Sequence, residues 1–195
     1  MVAGPPAPVS LSRERAKAPY SSAEIAAYLA LAEAQPTAAR RMRLVGLLAL
    51  GAGAGLMGAD LRGVHGDDVV VRSGGVVVDV TGTRPRAVPV LARYHQRALD
   101  AARFAGPDYV VGGYSPSRRN VTSGLVASVA GGADLGVLDT SRLRATWLCE
   151  AARAIGLKAF MDAAGITCTQ RLGDLVAGLE PLDEARAVLL LGPAR

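Results

Sequence analysis

Gly66-Asp67-Asp68-Val69-Val70-Val71-Arg72-Ser73-Gly74-Gly75-Val76-Val77-Val78-Asp79-Val80 is where this chain changes its period. Valine is stiff at χ1 and fits a pleated strand better than a helix. Its two runs are separated by Ser-Gly-Gly, which suits a tight reversal. The stretch therefore predicts a turn at 66–68, a strand at 69–72, a hairpin turn at 73–75 and a second strand at 76–80. A third strand follows at 83–89, with Val88 on its apolar side and Pro89 ending it. On either side the apolar spacing is helical. The fold class is α+β, mainly helical with a small three-stranded antiparallel sheet.

Upstream, Ser21 and Glu24 form a capping box that opens a helix running to about residue 35. Pro36-Thr37 breaks it, and a second helix starts at Ala38, carrying Met42, Val45, Leu48 and Leu50. The run Gly51-Ala52-Gly53-Ala54-Gly55 is expected to end that helix, with short helical residues continuing to Val64. Downstream, residues 90–104 predict an amphipathic helix with Val90, Leu91, Tyr94 and Leu99 on one face. Residues 108–111 read as extended, and 118–122 lead into an apolar helix ending at Gly131-Gly132. Helices are expected at 140–155, 157–164 and 169–179, then a last helix or strand at 183–191. Residues 1–19, with four prolines, read as a disordered leader or linker remnant, and residues 20–195 as the folded domain.

Composition narrows the function classes. Half of the 195 residues are hydrophobic but only 4% are aromatic, so the core must be built from Leu, Val and Ala. Twenty of the 22 basic residues are arginine, and the net charge is +5. That excess fits either a codon bias or phosphate contact by guanidinium forks. Cys149 and Cys168 are too few for a disulfide framework or a zinc site and are expected as buried thiols. His65 and His95 lack ligand spacing, so no metal and no cofactor is expected. Gly53, Gly55 and Gly58 match Gly-x-Gly-x-x-Gly, but a helix, not a strand, precedes them, which argues against a dinucleotide loop. The longest apolar stretch, 44–56, is too short to span a bilayer, and the first twelve residues lack an apolar signal core. The expected setting is soluble and cytoplasmic, without a membrane.

Three boxes then stand in a familiar order. The first is Gly53-Ala54-Gly55-Leu56-Met57-Gly58-Ala59-Asp60-Leu61 followed by Gly66-Asp67-Asp68-Val69. The second is Gly82-Thr83-Arg84-Pro85-Arg86-Ala87-Val88-Pro89-Val90, and the third Ser141-Arg142-Leu143-Arg144-Ala145-Thr146-Trp147. Ala163-Ala164-Gly165-Ile166 follows after a hydrophobic helix. From about residue 18 to 179, this order resembles the catalytic domain of tyrosine recombinases, the phage-integrase family.

The resemblance implies DNA strand cleavage by a tyrosine that attacks a phosphodiester, with arginines on the phosphate oxygens and Lys or His as proton donors. Measured against that pattern, the chain is degenerate. Met57 stands in place of an arginine, Thr81 of the lysine, Ser141 and Ala145 of two histidines, and Ile166 of the later histidine. Arg144 is the one retained family position. The nucleophile would fall near residues 174–176, yet no tyrosine follows Tyr114. Ser141 or Thr140 as a substitute has no nearby base.

The resemblance therefore implies a DNA-binding pseudo-recombinase tied to DNA integration or its regulation. Its partners would be duplex DNA and, beyond that, another copy or an active recombinase. The alternatives are a protein-interaction scaffold and a residual recombinase. Arg84, Arg86, Arg118, Arg119 and Arg144 are the candidate DNA contacts. The plainer roles are a solvated hairpin for Arg84 and Arg86, and a solvated loop for Arg118 and Arg119. For Arg144 the plainer role is a buried ion pair with Asp60 or Asp139. Met57, Thr81 and Arg144 are expected to converge on one concave, basic face.

Overall fold

Ser21 opens the first helix as the capping box requires. In the computed structural model its hydroxyl accepts from the Glu24 amide while the Glu24 carboxylate accepts from the Ser21 amide. The structure describes residues 17–82, 84–114, 121–127, 129, 135–154 and 157–166. Helix α1 spans Ser22–Glu33 and buries Ile25, Tyr28 and Ala32. Thr37 caps helix α2, Ala38–Ala54, through the Arg40 amide.

Helix α2 is the centre of the domain. Every residue from Leu44 to Ala54 is buried, so it is apolar all round, as a helix enclosed by others must be. It packs against α1, α4 (His95–Ala105) and α6 (Thr140–Ala154). This corrects the expectation that the glycine run ends the helix at residue 51. The glycines instead let neighbours approach: a Cβ at Gly51 would lie 2.8 Å from Leu143 Cδ1, and one at Gly53 2.9 Å from Tyr94 Cβ. Tertiary packing here outweighs the low helix propensity of glycine. The helix stops only at Gly55, which adopts the left-handed φ of 64° and donates its amide to the Leu50 carbonyl.

Helix α3 (Gly58–Gly63) and a 3-10 turn over Gly66–Asp68 lead into the sheet. Strands β1 (Val69–Arg72), β2 (Gly75–Val80) and β3 (Arg86–Pro89) form an antiparallel sheet in the order β1-β2-β3. Val69 pairs with Val78, and Val78 with Val88. Ser73 and Gly74 reverse the first hairpin with φ of 52° and 78°, the double positive φ that a type I′ turn demands. Val76, Val78, Val80 and Val88 form the buried face. The third strand begins at Arg86, later than the expected residue 83.

The helix expected at 90–104 is a 3-10 turn over Ala92–Tyr94 followed by α4. Val90 and Tyr94 are buried, and Leu91 and Leu99 pack against the core, as the spacing predicts. Residues 108–111 form a turn, with Tyr109 bridging to His65 and Gly113. Helix α5 is Val121–Ala127, and α7, Leu157–Ala164, has the expected bounds. Trp147 of α6 is fully buried and stacks on Phe160 of α7 at 6.3 Å between ring centres. Cys149 is half-buried, less enclosed than expected. The leader over 1–16, Cys168, the end of the apolar helix at Gly131-Gly132 and the elements expected beyond residue 168 lie outside the described residues. Among the described residues, no helix is long and apolar enough to cross a membrane.

Two glycines of the α2–α3 junction separate backbone strain from packing. Both have positive φ, but a Cβ at Gly55 would meet the Trp147 ring, whereas one at Gly58 meets nothing within 4 Å. Gly58→Ala should cost about 1–2 kcal/mol from the left-handed backbone alone. Gly55→Ala adds the clash and should cost about 1–3 kcal/mol more. Urea unfolding of the two variants measures the difference.

Candidate nucleic-acid interface

The end of α7 has unused hydrogen-bond acceptors, and arginines fill them. The last carbonyls of a helix have no intrahelical donor, and they carry the negative end of its dipole. Gly165 adopts a φ of 67° and donates to Asp162 O at 3.1 Å, while the Ile166 amide donates to Met161 O at 2.9 Å. This is a Schellman closure, and it satisfies two carbonyls. The next three in the chain accept from guanidinium groups. Arg86 Nε donates to Ala163 O at 3.1 Å, Arg144 Nη2 to Ala164 O at 2.7 Å, and Arg84 Nη1 to Gly165 O at 3.0 Å.

Each arginine comes from a different part of the fold or a different local setting. Arg86 opens β3, and its side chain is only 10% exposed. Nη2 donates to Asp60 Oδ2 of α3 at 2.7 Å, and Nη1 donates to the Arg84 carbonyl at 3.0 Å. Arg144 sits one turn into α6. Nη1 donates to Gly55 O at 2.6 Å, so it joins the end of α2 to the end of α7. Burial, then the nearby charge of Arg86, lowers the Arg144 pKa below the ordinary arginine value, and the Asp60 carboxylate partly offsets this. Arg144 stays charged all the same, because a guanidinium does not deprotonate in a protein. Arg84, in the loop before β3, is exposed.

Arg84, Arg86 and Arg144 meet at the end of α7, and the other sequence candidates sit on the surrounding elements. Met57 precedes α3, two residues beyond the Gly55 carbonyl that holds Arg144, and is 37% exposed. Thr81 is exposed beside Gly82, where a Cβ would stand 3.6 Å from Asp60 Oδ1. Ser141 and Ala145 share the Arg144 face of α6 by helical spacing, and both are half-buried. Ile166 lies just past the arginine-bound carbonyls and packs against the core. Arg118 and Arg119 lie outside the described residues.

Two sequence expectations need correction. Arg144 pairs directly with neither Asp60 nor Asp139. Asp60 binds Arg86, and Asp139 binds Lys17. Nor is Arg86 a solvated hairpin residue: three hydrogen bonds hold it inward. The Asp60–Arg86 pair has no local sequence signal, because its members are 26 residues apart. The carbonyl set did leave one, since Gly165 after an apolar helix marks a helix end that needs donors.

No protein-family model matches the sequence, and no curated protein matches it. Solved structures do match. XerA recombinase superposes with a TM-score of 0.59 at 12% identity, over 94% of this chain and 64% of that one. The Tn1549 transposon integrase, in complex with circular intermediate DNA, gives 0.53 at 14% identity, over 90% of this chain and 65% of that one. XerH site-specific recombinase, bound to difH substrate in a pre-cleavage complex, gives 0.58 at 14% identity, over 91% and 55%. The fold is that of a tyrosine-recombinase catalytic domain. The chain spans 55–65% of the length of these recombinase-type structures. Likeness at such identities establishes the fold alone.

Among the described residues, the cluster pairs one carboxylate, Asp60, with Arg86, while Arg144 bonds carbonyls alone, so these residues carry excess positive charge. Among the described residues, no group of three His, Cys, Asp or Glu side chains could hold a metal ion. Removing Arg86 leaves Asp60 enclosed without its partner. Arg86→Ala should therefore cost about 3–5 kcal/mol in urea unfolding. Arg86→Lys should recover only part of this, because an ammonium cannot reproduce the fork that spans Asp60 and two carbonyls. In Asp60→Asn the same Arg86→Ala change should cost less, and the difference measures the coupling of the pair.

Proposed function

We propose that this chain binds duplex DNA on the face bearing Arg84 and Arg144 and does not cleave it, serving DNA recombination or its regulation. Its partner would be an active recombinase or another copy of the chain. The observation that carries the reading is the gathering of Arg84, Arg86 and Arg144 at one end of α7 in a recombinase fold. A guanidinium matches a phosphate through two parallel hydrogen bonds, and the cluster holds more positive charge than Asp60 neutralises. Recombinases of the same fold have been solved with DNA, which supports duplex DNA as the ligand. Arg84, exposed and held by a single hydrogen bond to α7, is the first contact, and Arg144 the deeper one. Arg86 holds the hairpin through Asp60 and leaves fewer donors for DNA. Arg118 and Arg119 belong to the same proposal as further phosphate contacts.

The absence of cleavage follows from missing chemistry. Strand cleavage needs a nucleophile in line with the phosphate and an acid for the leaving oxygen. Tyr20, Tyr28 and Tyr94 are buried in the core, and Tyr109, half-buried, and Tyr114, 84% exposed, stand far ahead of residues 174–176, where the family resemblance puts the nucleophile. Tyr28 donates its hydroxyl proton to the Gly136 carbonyl at 2.8 Å, and its pKa is pushed up to about 12, first by burial and then by its hydrogen bond with Tyr20. Such a phenol is a poor nucleophile at neutral pH. Around Arg144, Thr81, Ser141, Ala145 and Ile166 offer no group that protonates an alkoxide near pH 7. Arg144 alone stabilises charge on a phosphate without breaking a bond.

A gel-shift series from low to high salt tests the reading. Affinity for mixed duplexes should fall with salt, with a slope of about −0.9 per phosphate neutralised. Arg84→Ala should weaken binding to all sequences alike and flatten that slope by about one unit, with stability unchanged. A nicked suicide substrate should give no covalent adduct. A covalent adduct, or no duplex affinity even at low salt, would contradict the proposal. Salt-insensitive self-association without DNA binding would point to a scaffold instead.

A further inference from the structure

We infer that the last turn of α7 is a built-in competitor for phosphate: the carbonyls of Ala164 and Gly165 hold Arg144 and Arg84 while no DNA is bound, and release them when a duplex docks. The inference rests on the DNA-binding reading above and adds its regulation.

Three observations carry it. The donors that would meet phosphate are already engaged by α7, Arg144 through Nη2 and Arg84 through Nη1. The other Nη of Arg144 donates to Gly55 O at the end of α2, so Nη2, held by Ala164 O, is the arm that the end of α7 keeps from a phosphate. The third is the shape of the junction. Gly165, the residue whose carbonyl holds Arg84, is in the left-handed region, and its Cα faces the Arg86 guanidinium so closely that a Cβ would come within 3.3 Å. The helix end is therefore closed by a left-handed residue that glycine adopts without strain and other residues do not, beside the arginines it occupies.

The exchange is favourable in the right direction. An enclosed guanidinium without partners is costly, so the carbonyls stabilise the DNA-free chain. A phosphate oxygen is a charged acceptor, and hydrogen bonds between two charged groups are stronger than those to a neutral carbonyl. The duplex therefore displaces the carbonyls only when it delivers phosphates to both arginines. Arg86 remains on Asp60 during the exchange, and Phe160, buried against Trp147, keeps the body of α7 docked. Only the closing turn, with the Gly165 and Ile166 amides bonded to Asp162 and Met161, has to loosen.

Two measurements on the full chain test this. The first is amide hydrogen exchange with and without a mixed-sequence duplex at low salt. Protection of the Gly165 and Ile166 amides should fall when the duplex binds, while amides of the buried α2 segment stay unchanged. Unchanged or increased protection at Gly165 and Ile166 in the DNA complex would overturn the inference. The second is Gly165→Ala, which alters no charge. It should weaken the helix closure and tighten duplex binding roughly threefold to tenfold, with the salt slope of the wild type. Unchanged or weaker binding by a folded Gly165→Ala chain would also overturn it. If that variant does not fold, the exchange measurement on the wild type decides alone. A wild type that binds no duplex at low salt overturns the DNA-binding reading and this inference together. Binding with α7 protection intact overturns only the inference.

Discussion

A guanidinium that is 10% exposed needs a partner for its charge and acceptors for its N–H groups. Arg86 finds them in the Asp60 carboxylate and in the carbonyls of Ala163 and Arg84. That requirement ties three otherwise separate pieces. Asp60 belongs to the short α3, Arg86 begins the last strand, and Ala163 lies in the last turn of α7. The sheet is small and its third strand covers only Arg86–Pro89, so its position depends on this polar anchor as well as on Val88. The cost of enclosing a charge is offset here by geometry that places α7 where the hairpin needs acceptors.

The apolar side of the same junction explains why the cluster can form. Helix α2 stays helical through Gly51 and Gly53 because Leu143 and Tyr94 occupy the space that side chains would fill. This close packing lets Trp147 lie over Gly55 and carries the Gly55 carbonyl to Arg144. Arg142, two residues earlier on α6, instead reaches the N-terminal side, bonding the Ala18 carbonyl and Glu24 and covering the Tyr20 ring at 3.8 Å. One helix thus uses neighbouring arginines for two different jobs, fastening the start of the domain and building the basic face.

Much of the fold was legible because it follows local rules. The valine runs around Ser73-Gly74 announce a hairpin, Ser21 with Glu24 announces a helix start, and the bounds of α7 follow from its apolar spacing and Gly165. The glycine run at 51–55 misled for a physical reason: propensity says stop, and close tertiary packing says continue. The site was half legible. Resemblance of ordered boxes singled out Arg84, Arg86 and Arg144, and they do meet at one helix end. Which acceptor each would take was not legible. Asp60 and Arg86 are 26 residues apart, and Arg86 and Ala163 are 77 apart, so their partnership is a property of the packed fold.

Arg86 and Arg144 are held at the end of α7 before any ligand arrives. Nuclear magnetic resonance of arginine side chains in the DNA-free protein addresses this directly. A guanidinium bonded at several N–H groups rotates slowly about its Nε–Cζ bond and shows separate Nη signals. Arg86 and Arg144 should behave this way, in contrast to Arg103, whose side chain is 72% exposed and paired only within its own helix. Separate Nη signals for Arg86 and Arg144, and averaged ones for Arg103, are the expected result. Averaged signals for all three would mean that the arginines are free in solution, and the account would fail.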